Sequence, residues 1–459
     1  MRMTLAEIAA VTGGRVIGAE PSSVVTSVVI DSRSATAGSL FVALPGSQVD
    51  GHDFAAQAVV GGAMAVLASR PVDAPHVLVT DPIAGLGAIA SAHRRAVASV
   101  VVGITGSSGK TGTKDLIARL LSEVGPTVAS PGSYNNDIGL PMTVLSAPED
   151  TRFLVLEMGA RGHGHIARLC AIAEPEIGVV VNVGSAHLGE FGSRDAIAQA
   201  KGELIESASR LAVLNANDAY VAAMAARARG VVRTFGMGGP AGSPDVAAHD
   251  VSVDGDGRAS FVLTADGRSA LVALKLVGPH HVMNATAAAT VALDCGLALD
   301  DIARVLTDAE PASRWRMEMH ERNDGVTVIN DAYNANPESM RAALDTLAAM
   351  GQGGRRTWAA LGPMLELGET SDLEHEGVGR YAAERAIAVV AVDAPAIAAG
   401  AGADALQAKD IDEAAGLLEK MLAPGDVVLL KASRGARFER LADRLLIEAG
   451  TIPSTAGSA

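Results

Sequence analysis

One stretch constrains this chain more than any other. From Val100 an apolar run, VVVGIT, passes into a glycine-rich turn, GSSGKTG, and then into the helical run TKDLIARLLSEVG. Glycines at such a turn let backbone N–H groups face an anion, and the start of the following helix adds a favourable dipole. The pattern Gly106, Ser107, Ser108, Gly109, Lys110, Thr111, Gly112 therefore predicts a phosphate cradle between a buried strand and a helix. Lys110 is placed to neutralise β- and γ-phosphate oxygens, and the Thr111 hydroxyl to ligate Mg²⁺. The spacing departs from the standard P-loop: Ile104 stands where its first glycine belongs.

Around this motif the chain alternates apolar strands (FLVLEMG, IGVVVNVG, LAVLNAN) with helical runs, the rhythm of βαβ units and a mostly parallel sheet. The later run VSVDGDGRASFVLTADGRSALVALKL carries Asp-Gly turns between alternating residues and predicts antiparallel hairpins at a sheet edge. Beyond Arg316, the runs GVTVIN, TWAALG, AIAVVAV and DVVLLK indicate a second doubly wound sheet. The first 98 residues hold short strands and helices of a smaller α/β module, opening with a capped amphipathic helix. The 459 residues suit about three domains. The expected fold class is α/β, with domains at 1–98, 99–312 and 313–459, and a disordered tail TIPSTAGSA.

Composition narrows the function. The net charge is −15 and aromatic residues are 3% of the chain, which argues against nucleic-acid binding by basic patches or stacking platforms. Cys170 and Cys295 are too few for a disulfide framework or a four-cysteine zinc site and suit a reducing cytosol. The most apolar stretch, AIAVVAVDAPAIAAGAGA, contains Asp393 and Pro395 and reads as strand, turn and helix, so no membrane span is expected. The N-terminus has no signal-peptide core, and the expected location is cytoplasmic.

Further polar groups sit at strand ends, where ligands bind in doubly wound sheets. Glu157 closes FLVLEMG and offers a hard oxygen for Mg²⁺; His187, in GSAHLGEFG, suits a second ion or a substrate contact. On spacing alone, a capping carboxylate and a surface histidine explain them as well. Lys201, in RDAIAQAKGELIES beside Glu203, reads on the same terms as a solvated surface charge. The loop of INDAYNANPESM is more polar than a cap for the helix starting at Pro337 requires, and it suits contact with a ribose and phosphate.

The motifs TGSSGKT, LEMG, NVGSAHLG, AKGELIE, GPHHVMNA, SRWRME, NDAYNANPES, LGPMLELG and LLKASRGARFE occur in the order found in the ATP-dependent Mur ligases. The resemblance spans essentially the whole chain, and NDAYNANPES and LGPMLELG are its most specific parts. It implies a UDP-binding N-terminal domain, a central P-loop ATPase domain and a Rossmann-like C-terminal domain. The DNPR-like motif of the diaminopimelate- or lysine-adding members is absent. The implied reaction is therefore ATP-dependent ligation of D-alanyl-D-alanine to UDP-N-acetylmuramoyl-tripeptide, by a monomer, through an acyl phosphate. A sibling that adds one amino acid to the UDP-MurNAc-dipeptide, or a folylpolyglutamate-type ligase, is the alternative. A P-loop ATPase or kinase, or a non-catalytic nucleotide-binding protein, are the readings from other classes.

The resemblance also implies roles. Lys201 becomes a carbamate that binds a second Mg²⁺ with His187, while Thr111 and Glu157 hold the first. Asn284 contacts adenine, and Arg316 reaches the ATP phosphates from the junction of the last two domains. Asp331, Tyr333, Asn334 and Asn336 complete the nucleotide site. Ser32 and Arg33 hold the UDP end, and Asn135 and Asn136 touch substrate or phosphate. Gly112 stands where Thr is common, and His281 where Asn is common, so His281 receives no role. A hinge near residue 313 is expected to close over the substrates and exclude water.

Overall fold

A computed structural model describes residues 1–46, 49–97, 99–184, 188–238 and 244–448. His187 and the tail 451–459 lie outside the described residues. The first helix, Leu5–Thr12, starts as expected from a capping box between Thr4 and Glu7 and stops at Gly13, whose φ of 64° is left-handed.

Three larger sheets follow one another along the chain. The first has five strands in the order Arg15–Ile17, His76–Leu78, Ala65–Ala68, Ser39–Val42, Ser27–Val29, parallel except at the first pair. The second has nine strands. Its parallel part runs from Thr127–Ala129 through Phe153–Glu157, Val100–Thr105, Ile177–Val180, Leu211–Asn215 and Val231–Met237 to Val246–Val253. Arg258–Ala265 and Arg268–Val277 then add the expected antiparallel edge. Its Asp-Gly turn places Asp266 and Gly267 at φ 49° and 74°, the left-handed pair that such a hairpin requires. The third sheet orders Glu318–Glu321, Thr327–Asn330, Val427–Lys431, Thr357–Leu361, Ala388–Val392 and Leu406–Ala408, parallel except at its first pair. The apolar stretch near Asp393 forms a buried strand, a turn and the helix Pro395–Ala401.

The strand Val100–Thr105 sits inside the nine-stranded sheet and is buried beyond its first residue. It pairs with Phe153–Glu157 on one side and Ile177–Val180 on the other. Glu157 lies opposite Ile104 and Val180 opposite Thr105, so three carboxyl ends converge beside the glycine-rich loop. No described helix is long and apolar enough to cross a membrane.

Candidate active site

The loop 106–109 leads into the helix Lys110–Ser122, with Gly109 at φ 76° as its first cap. A side chain at Gly109 would place Cβ 2.7 Å from Asn284 Oδ1 and 3.3 Å from Val181 Cγ1, so both the backbone turn and the packing require glycine. The N–H groups at the start of this helix have no intrahelical acceptors and open onto a cleft of about 630 Å³. The cleft wall draws on the phosphate loop, on Glu157, Lys201 and Asn284, and on Arg316, Asp331, Tyr333, Asn334 and Asn336. Asn135 and Asn136 also line it.

Electrostatics make this cleft unusual. Lys110 donates from Nζ to the Gly106 carbonyl at 2.7 Å. Burial lowers its pKa, opposed by Glu157 and reinforced by Arg316. Lys201 overturns the surface-charge reading: it is only 3% exposed, on the cleft side of the helix Arg194–Ser207. Its neighbour Glu203 is spent elsewhere, accepting from the Gly164 and Ala167 amides at 2.7 and 2.9 Å and so capping the helix His165–Ala173. Burial, and then Lys110, drive the Lys201 pKa well below the usual lysine value. An uncharged amine is the form that can add CO₂, and the carbamate so formed would place an anion beside Lys110. The residue therefore fits carbamylation.

Glu157 is 1% exposed and accepts from Thr111 Oγ1 at 2.7 Å and from Asn135 Nδ2 at 2.8 Å. Among the described residues no three His, Cys, Asp or Glu side chains cluster as a metal cage. One carboxylate and one hydroxyl beside a phosphate loop still fit Mg²⁺, which keeps waters and takes nucleotide oxygens. Asn136 serves its own turn, where its Oδ1 accepts from the Ile138 and Gly139 amides.

Arg316 enters from a strained junction. Trp315 and Met317 on either side have φ of 59° and 50°, a conformation that costs about 1–3 kcal/mol each for such residues. The alternation directs the Arg316 guanidinium over the Tyr333 ring at 4.3 Å and onto Ser133 Oγ at 3.1 Å. Its Nε is buried without a hydrogen-bond partner among the described residues, a donor suited to an anion.

The loop 331–336 is more self-contained than its sequence implies. Lys431, 2% exposed, donates to Asp331 Oδ2 at 2.6 Å and to the Asn334 carbonyl at 2.8 Å. Asp331 Oδ1 accepts from the Met317 amide. Asn336 caps the helix Pro337–Met350 through Ser339, and its Nδ2 approaches the Ser107 carbonyl at 3.5 Å. Gly112 leaves a niche beside Asn284, where a Cβ would lie 2.9 Å from Nδ2. Thr113 Oγ1 donates to Asn284 Oδ1, and Asn284 Nδ2 lies 3.4 Å from His281 Nδ1. Both His280 and His281 line the cleft; burial pulls His280 down to about 4 and His281 well below its usual value.

Ser32 and Arg33 do not line this cleft. They form a short turn capped by Asp31, where Arg33, with a side chain 81% exposed, pairs with Asp31 at 2.6 Å. Reading by residue type misses Lys431, His280 and Asn182. The motifs LLKASRGARFE, GPHHVMNA and NVGSAHLG are visible in the sequence, but the contacts each of these residues makes are long-range.

Comparisons with known proteins follow these units. Residues 24–117 match the model for the Mur ligase family catalytic domain, 104–292 the Mur ligase middle domain, and 315–434 the Mur ligase glutamate ligase domain. The UDP-N-acetylmuramoyl-tripeptide–D-alanyl-D-alanine ligase of Mycobacterium tuberculosis H37Rv is 44% identical over 98% of both chains. The ligase of that name from Synechocystis is 36% identical over 92% of both. Crystal structure I of MurF from Acinetobacter baumannii has a TM-score of 0.89 and 32% identity, covering 97% of this chain and 99% of that one. MurF from Thermotoga maritima, solved in complex with ADP, has a TM-score of 0.81 and 31% identity, covering 92% and 98%.

Proposed function

The chain belongs to the Mur ligase family, and from that premise we infer that it joins D-alanyl-D-alanine to the peptide carboxylate of UDP-N-acetylmuramoyl-tripeptide, converting ATP to ADP and phosphate. The observation that carries this assignment is the 44% identity across 98% of both chains to a relative named for that reaction. The product is the pentapeptide precursor of peptidoglycan. Residues 1–98 hold the UDP end, 99–312 the ATP, and 313–459 the dipeptide and further nucleotide contacts. The enzyme acts as a monomer in the cytoplasm.

A carboxylate is a poor electrophile, because it is anionic and lacks a leaving group. One of its oxygens forms a bond to the γ-phosphorus while the bond from that phosphorus to the bridging oxygen breaks, giving an acyl phosphate and ADP. Two anions must meet in this step, so Lys110, the first helical N–H groups and Arg316 spread the developing charge. Two Mg²⁺ ions, one that Thr111 and Glu157 would hold and a second that carbamylated Lys201 and His187 would hold, would supply further charge neutralisation. The neutral dipeptide amine then attacks the acyl carbon, loses its proton, and phosphate leaves from the tetrahedral adduct. Asn284 orients the adenine, Asp331, Tyr333, Asn334 and Asn336 frame the nucleotide, Asn135 and Asn136 face the substrate, and Ser32 and Arg33 hold the uridine end.

The test is ADP release measured across donors and acceptors. UDP-MurNAc-tripeptide with D-Ala-D-Ala should support turnover, whereas UDP-MurNAc-dipeptide with single amino acids should not; the reverse pattern overturns the assignment. In parallel, ¹³C NMR under ¹³CO₂ should show a carbamate resonance that Lys201→Ala removes, with ligation lowered by at least about 10²-fold.

A further inference from the structure

The segment that follows the strand Ile177–Val180 is pinned on every side. Val181 donates its amide to the Thr105 carbonyl at 2.9 Å, and its carbonyl accepts from Asn215 Nδ2 at 2.8 Å. The Val183 amide donates to Asp218 Oδ2 at 2.8 Å, and its carbonyl accepts from Arg194 Nη2 at 2.7 Å. The Gly184 amide donates to Ser107 Oγ at 2.8 Å. Between these anchors stands Asn182, whose side chain turns toward the phosphate loop. Its Oδ1 accepts from the consecutive amides of Ser107 and Ser108, both at 2.9 Å. Its Nδ2 donates to the Ser108 carbonyl at 3.2 Å and to Ser108 Oγ at 3.0 Å.

One oxygen accepting from two successive N–H groups is the arrangement in which backbone nests hold anions. Two of the amides that the glycine-rich sequence offers for phosphate are therefore already committed to an uncharged oxygen. That leaves the amides at the start of the helix Lys110–Ser122, with Lys110 Nζ, to meet the nucleotide. Adjacent packing enforces the fit: a Cβ on Gly106 would lie 3.1 Å from Val181 Cβ and 3.4 Å from the Asn182 amide nitrogen.

We propose that Asn182 is a positioning residue that holds the phosphate loop in its nucleotide-accepting shape before ATP arrives. The inference deepens the ligase reading, because it takes ATP as the ligand of this loop. Asn182 lowers the ordering cost of binding: a loop already shaped by four side-chain hydrogen bonds does not lose that freedom when phosphate docks.

Two measurements test this. Amide hydrogen exchange of Ser107 and Ser108 in nucleotide-free protein should be slow in the wild type and faster in Asn182→Ala, most of all at Ser108, because the Ser107 amide also donates to the Asn182 main-chain carbonyl at 3.2 Å. It should be intermediate in Asn182→Asp, which keeps the acceptor but loses the Nδ2 donor to Ser108. Affinity for a fluorescent ADP should fall about tenfold or more in Asn182→Ala. It should also fall in Asn182→Asp, whose added charge faces the phosphates. KM for the UDP-linked substrate and for the dipeptide should stay within about twofold, so that the loss falls on nucleotide alone. Exchange and ADP affinity both unchanged in Asn182→Ala overturn the proposal, as does an equal weakening of all three substrates together with a lowered melting temperature. If Asn182→Ala does not fold, Ser107→Ala removes the neighbouring Gly184 anchor and should loosen the same amides; unchanged exchange there counts against the proposal. A wild type that binds ADP but ligates nothing refutes the ligase assignment and leaves the Asn182 test intact.

Discussion

The two walls of the cleft handle charge in opposite ways. The central wall leaves it open: Lys110 donates only to a carbonyl among the described residues, and Lys201 is buried next to it with a strongly depressed pKa. The C-terminal wall closes its charge internally: Lys431 is spent on Asp331 and the Asn334 carbonyl, and Asn336 on a helix cap. Open valences next to low-dielectric walls attract ligands and steer their charge, whereas closed ones hold a shape. The same residue type is therefore left open to a ligand on one side and locked into the fold on the other, and Arg316 on the strained junction is the cation that reaches between them, to Ser133 and Tyr333.

The contrast breaks most sharply with paired lysine substitutions. Lys110→Met should lower kcat by about 10³-fold, the scale for losing a charge aimed at the transition state, with denaturation stability changed by less than about 1 kcal/mol. Lys431→Met should do the reverse. It leaves Asp331 buried without its partner, which costs about 3–5 kcal/mol of stability in urea unfolding. If Lys431→Met instead keeps full stability and loses only activity, the two walls do not differ as described.

A smaller effect separates them by pH. Burial pulls His280 down to about 4 from its ordinary 6.5, so the folded protein keeps it neutral while the unfolded chain takes up a proton first. Its contribution to stability is full above pH 6.5 and declines as the pH falls towards about 4, by up to about 3 kcal/mol. His280→Asn should flatten that part of the stability–pH curve, read by thermal melts between those limits; an unchanged slope would show that other groups dominate it.

The mildest test concerns the junction. Arg316→Lys keeps the charge but loses the planar stack on Tyr333, and it should reduce kcat/KM by about tenfold. A loss as large as that of Lys110→Met would move Arg316 into the same class as the central wall.

The phosphate loop, the Asp-Gly hairpins and the capped first helix are legible in the sequence because their signals are local. Each depends on backbone conformations that glycine, Asp-Gly pairs or a Thr-to-Glu cap specify within a few residues. Lys201 misleads for a related reason. Its neighbours Gln199 and Glu203 are polar, and nothing in the sequence says that Glu203 is used as the cap of a helix 36–39 residues earlier. The Asn182 brace spans 74–75 residues and the Lys431–Asp331 pair spans 100, beyond the reach of any periodicity.

The strand–loop–helix that faces an anion, the α/β succession of elements and the inventory of groups able to do phosphoryl and acyl chemistry can be read from the residues alone. Which of those groups keep an open valence depends on how the chain packs. A side chain's charge state and hydrogen-bond capacity depend on burial and on partners brought together by sheet order, and these are set by packing between distant segments rather than by the residues on either side.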